Sequence, residues 1–526
     1  MWGSVCTVNT RPSRRSTGSI REQLGFHSRC RQQQENLQRE LERIRRENQK
    51  LRKQITDKDE EIAEQQRHIQ DLERKLESRN RNSTTSSKPP SSDGLAGRQR
   101  ERGRKSSNPK KRRKPGGQPG HPGHHRALVP VEQVQSVKIL RPPQCRHCGE
   151  KLSEKSPAGI AESYRHQVTE IPRVQAFITE YQRPPVVCGR CQKSTWAPLP
   201  EEVQGQFGPQ LTALIAYWTV VCRLPRRLVE GMLAEVLGIT ISLGSTQKAW
   251  EEVSAAVQSP YQELQQQLPQ ERVLNADETG WRTNGDKRWL WVLVAARFVF
   301  YWVSMHRSTE VLVSLLGAVF RGILCSDRYS VYGKYHQGRK QFCWAHLRRA
   351  LLALMELRSL RAQRFGRDAL AIVARMFRLW HRFRGDLPDG RGRPQPLDRQ
   401  ELIRQSIPLQ KKLFQLAEAH LDDRDKEVSN LARALFIQAE HLYTFLEEEG
   451  VEPTNNSSER ALRTAVQWRK ISFGNRSRQG EWAVARLLTV VQTCKQQQRP
   501  VLGYLTQAVV CYRRHLDPPS LLRKPA

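Results

Sequence analysis

The sequence predicts an α/β protein: a mixed sheet continued by a long helical insertion and preceded by helical and cysteine-bearing segments. Three observations carry that class. Residues 273–276 and 322–326 are mostly apolar runs, and each ends at an aspartate, Asp277 and Asp327. Between them, residues 287–296 and 298–303, split by Arg297, are rich in aromatic and β-branched side chains and read as paired strands. From Leu347 to about residue 450 the apolar spacing is helical almost throughout, broken by the Pro- and Gly-containing loop at 386–394.

The chain has 526 residues, enough for about two to four domains and at least one sizeable core. Its formal charge of +35 favours nucleic acid or another polyanion as partner. No run of eighteen or more apolar residues is present, so a membrane span is not expected. The basic N-terminal stretch lacks an apolar h-region, which argues against a secretory signal. Eleven cysteines, only four of them in close pairs, do not make a disulfide scaffold. A reducing, cytoplasmic setting fits them.

Read in order, the chain opens with a coiled coil over residues 31–78. Leu37, Leu41, Ile44, Asn48, Leu51, Ile55, Lys58, Ile62, Gln65, Ile69, Leu72 and Leu76 alternate by four and three, with charged flanks. That repeat points to a homo-oligomer, and Asn48 sits where a polar residue fixes register. Residues 79–126 are rich in Ser, Pro, Gly and basic side chains and cannot bury a core. Within this linker Lys110, Lys111, Arg112, Arg113 and Lys114 form a cluster suited to phosphates.

Residues 127–200 carry two C-x-x-C pairs, Cys145 with Cys148 and Cys188 with Cys191. Four thiolates at that local spacing suit a structural, tetrahedral Zn²⁺. Residues 205–265 are helical in period. A stop at Leu237-Gly238 and a second start at Gly244-Ser245-Thr246 resemble a helix-turn-helix.

Residues 270–515 hold the sheet, with the insertion at about 347–450. The order strand, strand, strand, helix from Ser308, strand is that of a mixed sheet, as in a ribonuclease H-like core. Downstream, residues 453–460 open a helix with Glu459 in its first turn. Asp277, Asp327 and Glu459 together make a candidate site for two Mg²⁺ ions, which take hard oxygen ligands.

Each acid has a plainer reading. Asp277 would end a strand at the turn through Gly280, Asp327 would cap a helix near Ser330, and Glu459 would complete a capping box opened by Asn456. Glu278 alternates to the opposite face of its strand and is left out. Cys343 and His346 make only two ligands, so they are taken as structural support.

At this point the chain resembles the transposases of the insertion sequence 66 family. The likeness rests on residues 116–121, the two C-x-x-C pairs, 275–279, 325–327, 343–349, 454–460 and the pair Arg469-Lys470. It implies a DDE nuclease and strand-transferase core with Asp277, Asp327 and Glu459 in the acidic positions. It also implies a zinc-binding segment and an N-terminal leucine-zipper region. The partners implied are DNA, both element ends and target, and companion proteins encoded by the element. Lys110 to Lys114, Arg469 and Lys470 are the candidate DNA contacts. A non-catalytic DNA-binding protein, derived from a decayed transposase, is the alternative, and it would not need three carboxylates at one rim.

A fragment covering about residues 31–80 is expected to be helical and to self-associate in sedimentation equilibrium. Replacing Leu51 and Ile55 with Glu should leave it monomeric, and Asn48→Leu should raise its melting temperature while loosening its choice of oligomer.

Overall fold

The heptad positions all fall within one helix, α1 (Ile20–Asn80), whose 61 residues span about 90 Å. Leu37, Leu41, Ile44, Leu51, Ile55, Ile62, Ile69 and Leu72 are exposed along it. The computed structural model describes residues 20–80, 126–152, 165–172, 174–385 and 396–522, with some α1 side chains, including that of Leu76, left out. The cluster Lys110 to Lys114 lies outside the described residues. The chain divides into two units, Met1–Arg81 and Asn82–Ala526.

In the second unit, the described residues between 126 and 200 contain little regular structure. A two-residue ladder joins β1 (Val186–Val187) to β2 (Ser194–Thr195). Four helices follow: α2 (Pro209–Val220), α3 (Arg226–Leu237), α4 (Leu243–Ala256) and α5 (Gln258–Gln267). Gly238 ends α3 in the left-handed conformation, and the Ser242 hydroxyl accepts from the Ser245 N–H to start α4. Helices α3 and α4 are thus joined by the short segment at residues 238–242. The inner face of α4, with Ala249, Trp250 and Val253, is buried.

The sheet has five strands: β3 (Val273–Thr283), β4 (Asp286–Val294), β5 (Val299–Ser304), β6 (Ile323–Ser326) and β7 (Lys340–Phe342). Their spatial order is β5-β4-β3-β6-β7. The first three are antiparallel, whereas β6 runs parallel to β3 and β7 parallel to β6. This mixed sheet, with many helices about it, is compatible with a nuclease-like core. β3 and β4 meet through Asn284 and Gly285, both at positive φ, the geometry of a two-residue hairpin turn.

Every residue of β4 from Leu290 to Val294 is buried. A strand with no polar face must be covered on both sides. The edge strand β5 is closed by a helix. The N–H groups of Val299 and Tyr301 donate to the hydroxyls of Thr493 and Thr489 on α14 (Arg478–Gln496). Helix α6 (Thr309–Leu316) then leads to β6, and α7 (Ser330–Tyr335) leads to β7.

The insertion has a core of its own. It comprises α8 (Trp344–Leu354), α9 (Leu360–Arg384), α10 (Arg399–Glu418), α11 (Lys426–Ile437) and the single turn α12 (Thr444–Glu447). Phe365, Val373, Leu402, Val428 and Phe445 pack together there and reach Ile323, Cys325 and Phe342 of the sheet. Its two ends are tied to each other. The Gln341 side chain donates to the Leu442 carbonyl at 3.1 Å and accepts from the Phe445 N–H at 2.9 Å. The Trp344 indole also donates to Leu442, at 2.6 Å.

After the insertion come α13 (Asn456–Ser472), α14 and α15 (Val501–Arg513). The break expected near residues 472–475 is a clamp on the β3–β4 hairpin. The Asn475 N–H donates to the Arg282 carbonyl and the Asn284 N–H to the Asn475 carbonyl, at 2.9 and 2.8 Å. Gly474 allows this approach. Its φ is +103°, and a Cβ there would stand 2.2 Å from the Arg282 oxygen.

Gly474→Ala should therefore destabilise the protein by about 2 kcal/mol or more in denaturant titration. Gly231→Ala, inside α3 with nothing within 4 Å of the added methyl, should instead stabilise it by about 0.5–1 kcal/mol.

Candidate active site

The parallel pairing of β3 with β6 sets the register of the two aspartates. Asn275 faces Cys325 as the last paired position, and Asp277 and Asp327 each stand two residues further on. The paired stretch thus ends with both acids beyond it at equal height. Asp277 is not, however, the end of its strand. β3 continues through Gly280 to Thr283 on the β4 side, with Asp277 opposite Val292. The sequence hid this because Thr279 and Gly280 interrupt the apolar pattern.

Glu459 arrives from 132 residues beyond Asp327. Asn455, just ahead of α13, donates its side-chain amide to the Ala276 carbonyl at 2.7 Å, and its backbone N–H points at the Cys343 sulphur, 3.1 Å away. Asn455 itself is buried. These two bonds fix the start of α13 against β3 next to Asp277. Glu459 follows one turn later and is not engaged in a capping box, since the N-cap residue is Asn455 and makes no side-chain cap bond. The Arg349 guanidinium donates to its Oε1 at 2.7 Å.

Asp327 likewise caps no helix end directly. Its carboxylate accepts from the Tyr329 N–H at 2.9 Å in the turn before α7, whose own N-cap residue is Tyr329.

The electrostatics follow from burial. The Asp277 carboxyl is pushed well above the usual range, first by burial and then by the Glu278, Asp327 and Glu459 carboxylates, and the Glu278 N–H opposes the rise. Glu278 lies within electrostatic reach of this group, and burial pushes its carboxyl up too, but its oxygens are bonded elsewhere. Its Oε1 takes the Nε and Nη2 of Arg307 at 2.8 and 2.6 Å, and its Oε2 takes the Tyr332 hydroxyl. Arg307 lies between the rings of Trp289 and Tyr329, 4.6 and 3.9 Å from their centroids. The donor set fits a divalent cation: three carboxylates supply hard oxygens, and the crowded negative charge on Asp277 is what such a cation relieves.

The oxygens of the three acids do not all come within 4.8 Å of one another. Among the described residues, one group of three ligand types does: Cys343, His346 and Glu459. The reading of Cys343 and His346 as only two ligands is corrected here, because the third comes from a helix more than a hundred residues away. The His346 Nδ1 is buried with no hydrogen-bond partner, 3.7 Å from Glu459 Oε1. Burial, the largest influence, lowers the His346 pKa, and Arg349 lowers it further. Burial pushes the Cys343 thiol up to about 11 against the N–H groups of Asn455, His346 and Ala345.

The two C-x-x-C pairs form matching turns. Cys145 donates to the carbonyl of Glu150 and its own carbonyl accepts from Gly149, and Cys188, Lys193 and Gln192 repeat the pattern. In each turn, backbone N–H groups lower the pKa of the first thiol, those of His147 and Cys148 for Cys145, and of Cys191 and Arg190 for Cys188. That suits thiolate ligands. The structure does not gather Cys145, Cys148, Cys188 and Cys191 into one cluster. Of the candidate DNA contacts on α13, Lys470 is exposed. Arg469 is partly buried and donates to the Gly280 carbonyl and, at 3.3 Å, to the Thr279 hydroxyl, so it ties α13 to β3.

Comparison with known proteins decides the family. Residues 204–482, which hold the whole sheet and all three acids, match the Transposase IS66 family. The chain belongs to that family. Residues 28–127, covering the coiled-coil region and the basic linker, match a family of unknown function (DUF6444). Over 244 residues the chain is 28% identical to uncharacterized protein y4qI of Sinorhizobium fredii, which covers 42% of this chain and 43% of that protein. The match thus spans less than half of this relative's length. No helix among the described residues is long and apolar enough to cross a membrane.

Because its folded-state pKa is raised, the Asp277 carboxylate costs stability at pH values above its unfolded pKa, and the cost fades as pH falls. In metal-free protein, Asp277→Asn should therefore be more stable than wild type by about 1–3 kcal/mol at neutral pH, by thermal melting. The difference should shrink on acidification. Added Mg²⁺ should raise the melting temperature of the wild type and not of the variant.

Proposed function

We propose that this IS66-family chain is a DDE-type DNA transposase that binds the ends of its element, cuts them and joins them to target DNA. The observation that carries the proposal is the shared register of Asp277 and Asp327 just beyond the paired stretch of two adjacent parallel strands, with α13 bolted beside them by Asn455. The strand order β5-β4-β3-β6-β7, three antiparallel strands followed by two parallel ones, supports a ribonuclease H-like core.

Asp277, Asp327 and Glu459 would hold two Mg²⁺ ions. When bound, such ions supply charge neutralisation at a phosphodiester and a more acidic water. The remaining work falls to the chain itself. Arg349 orients the Glu459 carboxylate. Arg307 and Tyr332 engage both oxygens of Glu278 and so leave it out of the ligand set. Water, and then a freed 3′-hydroxyl, would be the successive nucleophiles. We further infer a structural Zn²⁺ on Cys145, Cys148, Cys188 and Cys191, supported by the two matching turns. Self-association through the exposed apolar stripe of α1 and action alongside companion proteins complete the reading.

Asp277→Asn, Asp327→Asn and Glu459→Gln should each lower Mg²⁺-dependent cleavage of end DNA at least about 10²-fold, with DNA binding nearly unchanged in gel-shift titration. Full activity of Glu459→Gln would overturn the third ligand. Neutralising Lys111, Arg112 and Arg113 should do the reverse, weakening binding and flattening its salt dependence.

A further inference from the structure

Cys343, His346 and Glu459 have a donor chemistry different from that of the aspartates. Cys343 is the N-cap residue of α8, and His346 lies three positions on, in the first turn of the same helix. That spacing puts thiol and imidazole on one side. The three ligand atoms lie within 4.8 Å of one another, close to the span of two metal bonds of about 2.0–2.3 Å each. The sulphur already receives the Asn455 N–H, and the His346 Nδ1 is buried without a hydrogen-bond partner, 3.7 Å from Glu459 Oε1. An unpartnered imidazole nitrogen beside a thiol and a carboxylate is costly to bury unless something can use it. Sulphur, nitrogen and one oxygen together suit Zn²⁺ and leave a fourth position for water.

We propose that Cys343, His346 and Glu459 form a binding site for Zn²⁺ or a similar borderline cation, and that its occupation withdraws Glu459 from Asp277 and Asp327. Glu459 would then belong to two competing sets: oxygen ligands with the aspartates, and a mixed S, N, O set with Cys343 and His346. Binding releases the Cys343 proton to solvent as the Zn–S bond forms, and frees Glu459 Oε1 from Arg349. Zinc is thereby an inhibitor of the Mg²⁺-dependent reaction. The inhibitory part rests on the catalytic reading above, and the ion-binding part does not.

The test uses the full-length protein, stripped of metal and reloaded with Zn²⁺, or with Co²⁺ as the spectroscopic probe. Wild type should bind one more equivalent than His346→Gln or Cys343→Ser, and its cobalt spectrum should contain a thiolate charge-transfer component that both variants lack. The Cys145 and Cys188 turns are common to all three proteins and cancel in the difference. His346→Gln changes a partly exposed ring, so it carries the comparison should Cys343→Ser fold poorly. Asp277→Asn should keep the extra equivalent. Equal zinc content and identical cobalt spectra in wild type and His346→Gln would overturn the site.

For inhibition, cleavage is measured with Mg²⁺ in excess while zinc is raised, each protein serving as its own baseline. The zinc concentration that halves the rate should rise roughly tenfold or more in His346→Gln. Equal sensitivity would overturn the inhibitory part. A protein that cuts no DNA under any condition counts against the catalytic reading, and the cobalt and zinc differences would still decide the site.

Discussion

Asn455 is the residue on which the candidate site depends. Its side-chain amide is held by the carbonyl of Ala276, the residue before Asp277, and its backbone N–H by the sulphur of Cys343. One buried residue thus ties together the first strand of the sheet, the entry of the insertion and the start of α13. A third acid so far along the chain has no local means of finding the first two. The loop that returns it costs more entropy the longer it grows, though only slowly, so a few well-placed bonds at the closing point suffice. Arg469 adds a second tie further along α13.

Around that closing point two adjacent buried carboxyls are both pushed above their ordinary range, and one of them has a cationic partner. Asp277 is buried among like charges. Glu278, one residue on, faces Arg307 and Tyr332 and is fully paired. Alternation along β3 separates the two, so adjacent carboxylates meet opposite surroundings. Natural sequences break local rules at functional positions and compensate elsewhere. Here the compensation is visible in the stack of Trp289, Arg307 and Tyr329 behind the pair.

Much of the scaffold was legible in the sequence. The aromatic and β-branched runs at 287–303 form β4 and β5, the apolar run before Asp327 forms β6, and the helical period after Leu347 marks an insertion with its own core. What stayed hidden depended on contacts between distant segments. The continuation of β3 past Asp277 follows from pairing with β4, which no run of apolar residues announces. The role of Asn455 was invisible because a buried amide and a cap have the same letter. Cys343 and His346 lacked a third partner for the same reason. Local spacing did find the two cysteine turns, since each closes on itself within six residues.

The insertion leaves the sheet at Phe342 and returns at Thr444, and both ends are fastened by Gln341 and Trp344 to Leu442 and Phe445. Apart from α8, whose His346 and Arg349 meet Glu459, its helices fill a core of their own. The acidic rim therefore registers α8 and the point where the two ends meet, and not how much chain lies between them. Such an arrangement behaves as a cassette. Helices α9 to α11 can be lengthened, shortened or exchanged, and the number of residues separating Asp327 from Glu459 can drift, while the geometry at the rim stays the same.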